Sequence, residues 1–290
     1  MGQRIEQLKE STLRRSYLYI PAIKEKYFEK IDSNNADAVI FDLEDSVSSQ
    51  NKEDARKILQ NFFNKEKNVA KEIFIRINSE AIYSKDDIEL IKKNINKITG
   101  IFLPKINEPK EIDKVANAIG ENNIEIIPLI ETPKGVLNLE EISINKYVTT
   151  VALGEVDLSH SLNINPNKGL KQLISIRLFL NLVLAAYEKK APIGPVWTNI
   201  DDTKGLEEHM ETIRSLGYSG AQLIHPNQID TTNKIFSHSE DEIEWAKSIL
   251  KVNSELKNNL GSFKDSNNEM VDEAVIKRAE KLIKSIEDKN

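Results

Sequence analysis

The 290-residue chain has no cysteine, and this absence excludes disulfides, thiolate catalysis and cysteine-ligated metal sites. No apolar run comes close to the roughly 18 residues of a membrane-spanning helix, and the N-terminal stretch MGQRIEQLKE lacks the apolar segment of a signal peptide. The phosphate-binding motifs G-x-G-x-x-G and G-x-x-x-x-G-K-[ST] are missing as well. These absences predict a cytoplasmic protein that lacks a Gly-rich nucleotide-binding turn.

Clusters of one charge sign are also scarce. The formal net charge is −6, and Lys and Arg are mixed with acids along the chain instead of forming a basic stripe. This pattern argues against a general nucleic-acid binder, but it is compatible with an anionic small-molecule ligand, which needs only a few local cations. The four histidines show no metal-ligand spacing, and we interpret His225, at a predicted strand end, as a hydrogen-bonded packing residue.

The sequence does contain a regular alternation of strand-like and helix-like segments. Eight strands separated by amphipathic stretches predict a (β/α)8 TIM barrel, an α/β fold. An open doubly wound sheet is the alternative, but it usually has fewer strands and a Gly-rich first turn. The predicted strands are Ser16–Ile20, Asp37–Leu43, Glu72–Ile77, Gly100–Pro104, Ile124–Ile130, Val148–Leu153, Pro192–Trp197 and Gly220–His225, and the predicted helices between them are Asn51–Lys65, Asp86–Asn96, Pro109–Ile119, Leu170–Lys189 and Thr203–Leu216.

The C-terminal part departs from this alternation. A long helical pattern, Glu240–Asn259, is followed by the polar stretch NNLGSFKDSNNE and then by a final helical stretch, Asp272–Glu287. A polar stretch with Gly, Ser and Asn is typical of a hinge. We therefore predict a barrel domain over residues 1–260 and a short C-terminal helical appendage over residues 261–290.

Polar and charged residues stand at the ends of several predicted strands. In a (β/α)8 barrel the reactive side chains lie where the strands end, at the carboxyl face. The strand ends therefore give the candidate site residues Asp42, Glu44, Asp45, Arg76, Lys105, Glu131, Glu155 and Asp157.

Glu131 and Asp157 form the strongest candidate pair among them. They follow neighbouring strands of the predicted barrel, and two such carboxylates completed by water and substrate oxygens are typical of a Mg²⁺ site. The alternative is that each acid caps the helix that follows it. Spacing alone leaves these two interpretations evenly balanced.

The arginines also have two interpretations each. Arg76 above an aliphatic barrel core needs a carboxylate partner, which is either Glu44 on the neighbouring strand or a substrate acid, and both can hold together. Arg14 and Arg15 precede the first strand. They are therefore expected at the opposite end from the barrel mouth, where we interpret them as a solvated pair.

Seven segments, taken in order, resemble the citrate lyase β-subunit-like family within the HpcH/HpaI aldolase superfamily. The resemblance covers nearly the whole chain, and its specificity comes from the order of the segments and not from any one of them. The segments are RRSYLYIPA (14–22), ADAVIFDLEDSV (36–47), IRIN (75–78), LPKI (103–106), PLIETPKGV (128–136), LGEVDL (153–158) and GYSGAQLIHPNQI (217–229).

This resemblance implies a carbon–carbon lyase on a TIM barrel that depends on Mg²⁺, with Mn²⁺ as a substitute. Its substrates would be short 3-hydroxyacyl-CoA thioesters such as citryl-, malyl-, methylmalyl- or citramalyl-CoA, cleaved to acetyl-CoA or a homologue and a 2-oxo acid, and some members run toward condensation or hydrolyse the thioester. The resemblance places the metal ligands on Glu131 and Asp157 and the substrate-carboxylate contact on Arg76. It places the catalytic Glu44 and the substrate contacts Asp45 and Lys105 near the same pocket.

The resemblance further implies a C-terminal lid that reaches a neighbouring subunit, where Asp272 would be catalytic. A shared lid predicts a homotrimer or hexamer. Arg15 would approach the CoA phosphates. Two alternatives stay open: a CoA-independent class II pyruvate-type aldolase, and a non-catalytic metabolite-binding subunit of a lyase complex.

Overall fold

The computed structural model describes residues 13–65, 71–120, 124–164, 168–255, 263–265 and 269–287. The chain divides into two compact units. One unit is Arg14–Phe236, and the other combines Met1–Leu13 with Ser237–Asn290.

The first unit is a closed barrel of eight parallel strands in sequence order, and it confirms the predicted (β/α)8 TIM barrel. The first strand pairs with the second and also with the eighth, which closes the sheet on itself. The strands are β1 Ser16–Pro21, β2 Ala38–Asp42, β3 Glu72–Arg76, β4 Gly100–Leu103, β5 Glu125–Ile130, β6 Ala152–Leu153, β7 Ile193–Gly194 and β8 Gly220–Leu223.

Helices follow the strands around the barrel, and local sequence signals explain where they begin. Glu108 and Glu111 form a capping box ahead of Pro109, the first residue of a helix that ends at Ile119. The helices of the barrel unit are α1 Lys52–Lys65, α2 Ala81–Lys93, α3 Pro109–Ile119, α4 Pro133–Leu137, α5 Leu139–Ile144, α6 Glu155–Ser161, α7 Ile174–Ala186, α8 Thr203–Ser215 and α9 Ile229–Phe236, with 3-10 turns at Glu25–Lys30, Ser49–Asn51, Ile95–Lys97, Lys168–Leu173 and Pro226–Gln228.

The sixth and seventh strands differ most from the prediction, since each covers two residues where six were expected. The sixth was expected over Val148–Leu153, but the ladder covers only Ala152–Leu153, and Val148 makes an isolated bridge to Ile126. Val148 and Val151 are buried all the same. An apolar run marks residues that are buried, whether or not they form strand hydrogen bonds. The predicted strand therefore extended beyond the hydrogen-bonded ladder.

Aromatic side chains fill the barrel interior. Tyr17, Phe74 and Phe102 meet edge to face with ring centroids 5.6–6.0 Å apart. This arrangement is a favoured one for aromatic pairs. The layer makes the barrel a packed core and not a pore, so ligands are confined to its rim.

The second unit contains the helices α10 Glu240–Glu255 and α11 Glu273–Glu287 and a two-stranded antiparallel sheet of β9 Phe263–Lys264 and β10 Met270–Val271. Its core joins Ala246 and Ile249 of α10 to Val271 and Ala279. Because α10 packs with α11, the C-terminal part of this unit starts at Ser237 and includes a helix that precedes the predicted appendage over residues 261–290. Residues 258–262 and 266–268 of the predicted hinge lie outside the described residues.

A search of the described helices finds none that is long and apolar enough to cross a membrane.

Candidate active site

The carboxyl ends of β2, β3, β4 and β5 bring together six of the predicted site residues: Asp42, Glu44, Asp45, Arg76, Lys105 and Glu131. Each of these side chains has a contact to at least one other member of the group. Consecutive parallel strands carry consecutive positions of the barrel rim, which is why residues far apart in sequence meet here.

Arg76 is held mainly by Asp42. Its Nε and Nη2 atoms donate to the two oxygens of Asp42, each over 2.7 Å. The two residues are direct partners in the β2–β3 register. Asp42 also accepts the backbone N–H groups of Glu44 and Ser46, and although burial opposes its charge, the hydrogen bonds of Arg76 lower its pKa below the ordinary value. Glu44 was the expected partner, but it is only the second partner of Arg76.

Glu44 lies between two cations of the site. Its Oε1 accepts from Lys105 Nζ at 2.9 Å, while its Oε2 lies 3.3 Å from Arg76 Nη1 and accepts no hydrogen bond. Burial and the neighbouring charge of Asp45 raise the pKa of Glu44 against the opposing effect of both cations. Asp45, which is exposed, lies 3.5 Å from Lys105 Nζ and 3.7 Å from Arg76 Nη1.

Lys105 contacts two of the acids at once. Its backbone has φ of +56°, in the left-handed region that side-chain-bearing residues rarely adopt. In this conformation its N–H donates to Glu131 Oε1 over 2.7 Å while its Nζ reaches Glu44. Residues held in this region cluster at functional sites.

Glu131, directly after β5, is a buried carboxylate with an unusual pKa. Burial is the largest cause, and the charges of Glu44 and Asp157 add to it, so that the pKa of Glu131 rises to about 8. Gly154 lies against it: a Cβ atom there would approach Glu131 Oε2 within 2.5 Å. Gly154 N–H also donates to Ile130 O, which fixes the end of β6 beside the end of β5.

Asp157 and Glu155, both in the first turn of α6, have opposite surroundings. Glu155 is 2% exposed and forms a bidentate ion pair with Arg177 of α7. Asp157 is half-buried, and within the described part of the chain it has no hydrogen-bond or ion-pair partner. The charge of Glu155 is therefore already balanced by Arg177, whereas Asp157 is available to a ligand.

The charge balance of the rim fits a divalent cation. Five carboxylates (Asp42, Glu44, Asp45, Glu131 and Asp157) face three cations, Arg76, Lys105 and Lys52. Among the residues that the structure describes, no group of three or more His, Asp or Glu side chains is arranged to hold a metal. A pair of carboxylates suits Mg²⁺, which binds one or two protein carboxylates and keeps several waters.

Arg15 and Arg14 lie at the opposite, amino end of the barrel. Arg15 Nη2 pairs with Asp37 Oδ1 at 2.7 Å, just before β2. The structure thus does not bring Arg15 to the carboxyl-end site, and the implied CoA contact finds no support in this geometry. The expectation of a solvated pair was wrong for Arg14, which is buried and donates to the first residues of β3 and β5, Glu72 and Glu125.

Asp272 belongs to the second compact unit. Its Oδ1 accepts the N–H groups of Ala274 and Val275, so it caps the N-terminus of α11, and its side chain is exposed. The catalytic role of Asp272 stays a prediction. His225 has the structural role expected of it, because its Nδ1 accepts from Asn227 N–H at the start of the 3-10 turn Pro226–Gln228.

Several residues that shape the site were not predicted from the sequence. Tyr19 lies beneath Arg76, whose guanidinium carbon is 4.8 Å from the ring centroid. Lys52 Nζ donates to the carbonyls of Leu43 and Glu44 and so fixes the loop after β2. A lysine in a charged helix start carries no sequence signal for such a contact, but Tyr19 at the end of β1 could have been found by the two-residue period of a strand.

Comparison with known proteins gives consistent matches. A family model described as HpcH/HpaI aldolase/citrate lyase matches residues 15–226. The chain is 31% identical to a (3S)-malyl-CoA thioesterase of Cereibacter sphaeroides, over 80% of this chain and 80% of that protein. It is 27% identical to the mitochondrial citramalyl-CoA lyase of Homo sapiens, over 93% of this chain and 84% of that protein. It is also 27% identical to the citrate lyase subunit beta of Leuconostoc mesenteroides subsp. cremoris, over 94% of this chain and 93% of that protein.

Solved structures share the fold. The CitE protein of Mycobacterium tuberculosis, in complex with magnesium, acetoacetate and coenzyme A, matches with a TM-score of 0.77 at 24% identity, over 93% of this chain and 97% of that chain. RipC from Yersinia pestis matches with a TM-score of 0.68 at 24% identity, over 81% of this chain and 99% of that chain.

Proposed function

The chain belongs to the HpcH/HpaI aldolase/citrate lyase family, and from that premise we propose that it is a Mg²⁺-dependent carbon–carbon lyase. Its substrate would be a short 3-hydroxyacyl-CoA such as citryl-, malyl- or citramalyl-CoA. The products of cleavage would be acetyl-CoA or a homologue and a 2-oxo acid. The names of the relatives at 27% and 31% identity support the CoA-thioester class, since those proteins are named for citramalyl-CoA and malyl-CoA.

One observation carries this proposal: two carboxylates at adjacent strand ends form no ion pair with any residue that the structure describes. Glu131 has a pKa raised to about 8 by burial and by like charges, and Asp157 has no ion-pair partner among the described residues. Glu131 and Asp157 would hold Mg²⁺, with Mn²⁺ as a substitute. When bound, the ion supplies Lewis-acid polarisation of the oxygen that becomes the ketone of the 2-oxo acid.

In the cleavage direction the substrate hydroxyl gives up its proton and its oxygen forms a carbonyl. The adjacent carbon–carbon bond breaks, and its electrons form the enolate of the acyl-CoA. We assign the hydroxyl proton to Glu44, because its Oε2 accepts no hydrogen bond and its raised pKa makes it a stronger base than an ordinary glutamate.

Arg76 would bind the substrate carboxylate or stabilise the developing oxyanion. Asp42 holds two of its N–H groups, which preorganises the guanidinium and leaves Nη1 as the group toward Glu44 and Asp45. Lys105 and Asp45 would contact the substrate from the same side of the rim.

Asp272 would move a proton on or off the α-carbon of the acetyl group, from the C-terminal segment of a neighbouring subunit. Protonation of the enolate at carbon completes the acetyl-CoA product and balances the reaction. The exposure of this capping residue supports a role toward a second chain.

A C-terminal segment shared between subunits implies a homotrimer or hexamer. This proposal is supported by α7, a barrel helix whose outward residues Ile174, Leu178 and Leu182 are 46%, 55% and 64% exposed. A barrel helix is normally charged on its outer face, whereas the one charged residue of α7, Arg177, is buried. A second copy of this chain covering that stripe would explain it.

The decisive experiment is a panel of malyl-, citramalyl-, methylmalyl- and citryl-CoA, assayed with Mg²⁺ and with a chelator. We expect one or two thioesters to yield a 2-oxo acid in a Mg²⁺-dependent reaction. Cleavage of free hydroxy-oxo acids without CoA would favour the class II aldolase instead. Inactivity on every substrate would favour the non-catalytic subunit.

Hydrolysis of the thioester is the second candidate function, because the relative at 31% identity is a thioesterase. The same panel separates the two activities. A lyase releases acetyl-CoA and a 2-oxo acid, whereas a thioesterase releases free CoA and the intact hydroxy acid.

A further inference from the structure

The start of α6 lacks the usual means of fixing a helix N-terminus. Its N-cap residue is Gly154, which offers no capping side chain. Any other residue there would place a Cβ within 2.5 Å of the Cβ and Oε2 atoms of Glu131. The proposed metal ligand therefore excludes a side-chain cap from the helix that carries Asp157.

Glu155, the first residue of that helix, is fixed in another way. Its side chain points into the protein, where both oxygens accept from the guanidinium of Arg177, one of them over 2.6 Å. Both side chains are almost fully buried, at 2% and 1% exposure. Because the carboxylate of Glu155 is gripped at two points, the first turn of α6 cannot rotate about its axis without breaking the ion pair.

Arg177 is itself rigidly held. It lies on α7 beside Leu180 and Leu184, which are fully buried, and the hydroxyl of Tyr218 donates to its carbonyl over 3.0 Å. A buried ion pair contributes little to stability, because desolvation of the two charges offsets their attraction. Stability alone thus gives no reason for this pair at this place.

We infer that Arg177 is a positioning residue which, through Glu155, sets the orientation of Asp157 toward the cation. Asp157 lies two residues after Glu155 in the same turn, so the constraint on one residue is transmitted to the other through helical backbone. The inference rests on the proposed function, because it takes Asp157 to be a metal ligand. It assigns no contact with substrate to Arg177 or to Glu155.

The test compares metal affinity with stability in three variants: Arg177→Lys, Glu155→Gln, and the double variant Glu155→Gln/Arg177→Met. The dissociation constant for Mn²⁺ or Mg²⁺ is measured by titration calorimetry, and the free energy of unfolding by urea denaturation. Loss of a group that orients a metal ligand typically weakens metal binding by about 10- to 100-fold. We expect that loss in all three variants.

Stability should behave differently from affinity. The Glu155→Gln variant leaves a buried guanidinium without its counter-charge and should unfold at lower urea, whereas the double variant removes both charges and should regain stability. The matched control is Glu125→Gln, which removes a buried carboxylate bound by Arg14 at the other end of the barrel. It should lose stability and keep the dissociation constant of the unmodified protein.

Unchanged metal affinity in the double variant and in Arg177→Lys would overturn the inference and show the pair to be structural only. If Asp157→Asn also leaves metal binding unchanged, the metal assignment itself has failed. If Asp157→Asn abolishes binding while the Arg177 variants bind normally, only the positioning role is lost.

Discussion

The two ends of β5 each carry a buried glutamate, and the surrounding charges shift the pKa values of the two carboxyl groups in opposite directions. Glu125, its first residue, receives two hydrogen bonds from Arg14, and although burial opposes its charge, this arginine lowers its pKa. Glu131, one residue beyond the other end, forms no ion pair within the described part of the chain, and burial with two neighbouring carboxylates raises its pKa to about 8. Both side chains are at most 4% exposed.

The difference teaches how to separate a structural acid from a functional one. At the amino end the buried acid Glu125 has a cationic partner in Arg14, so the charges hold the fold together. At the carboxyl end acids outnumber cations, and the excess is repulsive until a cation binds. A barrel that tolerates such repulsion only at the end where its loops converge is arranged for ligand binding there.

The largest expected effect is on catalysis at the carboxyl end. Asp157→Asn should lower kcat/KM with the best thioester by about 1,000-fold, because the loss of a metal ligand removes several kcal/mol of transition-state stabilisation. The free energy of unfolding should change little, since Asp157 has no hydrogen-bond or ion-pair partner among the residues that the structure describes. Glu125→Gln should do the reverse, with near-normal kcat/KM and lower stability. Full activity in Asp157→Asn would erase the distinction between the two ends.

A second test uses Arg76 and Arg14, which each bind more than one acid. Arg76→Lys should lower kcat/KM by about 100-fold, because lysine cannot reproduce a preorganised bidentate contact. Arg14→Lys, at the amino end, should reduce stability while kcat/KM stays within about threefold of the unmodified enzyme. Steady-state kinetics and urea denaturation of both variants provide the comparison, and an equal loss of activity in the two would count against Arg76 as a substrate contact.

A third test compares two substitutions at the ends of β5 that should change the free energy of unfolding in opposite directions. In metal-free protein at pH 8, Glu131→Gln should raise the free energy of unfolding by about 1–3 kcal/mol, because it removes a buried charge beside two others. Glu125→Gln should lower it by about 3 kcal/mol, because it leaves Arg14 with one buried partner fewer. Urea denaturation with chelator measures both. Destabilisation by both substitutions would mean that Glu131 is also a structural acid.

The sequence predicted helix bounds and strand ends well, but it predicted poorly which charged side chains pair with each other. The third helix was predicted to the residue, Pro109–Ile119, because proline begins it and Gly120 follows it. Glu131 and Asp157 could be located because strand ends are visible as the ends of apolar runs. Asp42 as the partner of Arg76 and the burial of Arg14 depend on the β2–β3 register and on strand starts 58 and 111 residues away. Likewise, the different roles of Glu155 and Asp157 become visible only from the contact between Glu155 and Arg177, 22 residues further along the chain.

The smallest expected effect is on how the free energy of unfolding of the metal-free protein depends on pH, which should differ in direction for the two glutamates. The pKa of Glu125 is lowered by folding, so its contribution to stability is present above the unfolded value of 4.5 and is lost as the pH falls through the folded pKa. The stability gap between the unmodified protein and Glu125→Gln should therefore narrow as the pH falls below 4.5. The pKa of Glu131 is raised, so stability is lost as the pH rises from 4.5 to about 8, and the advantage of Glu131→Gln should grow over that window. Denaturation at pH 4, 6 and 8 measures both gaps, and parallel curves for the two variants would remove the contrast between the ends of β5.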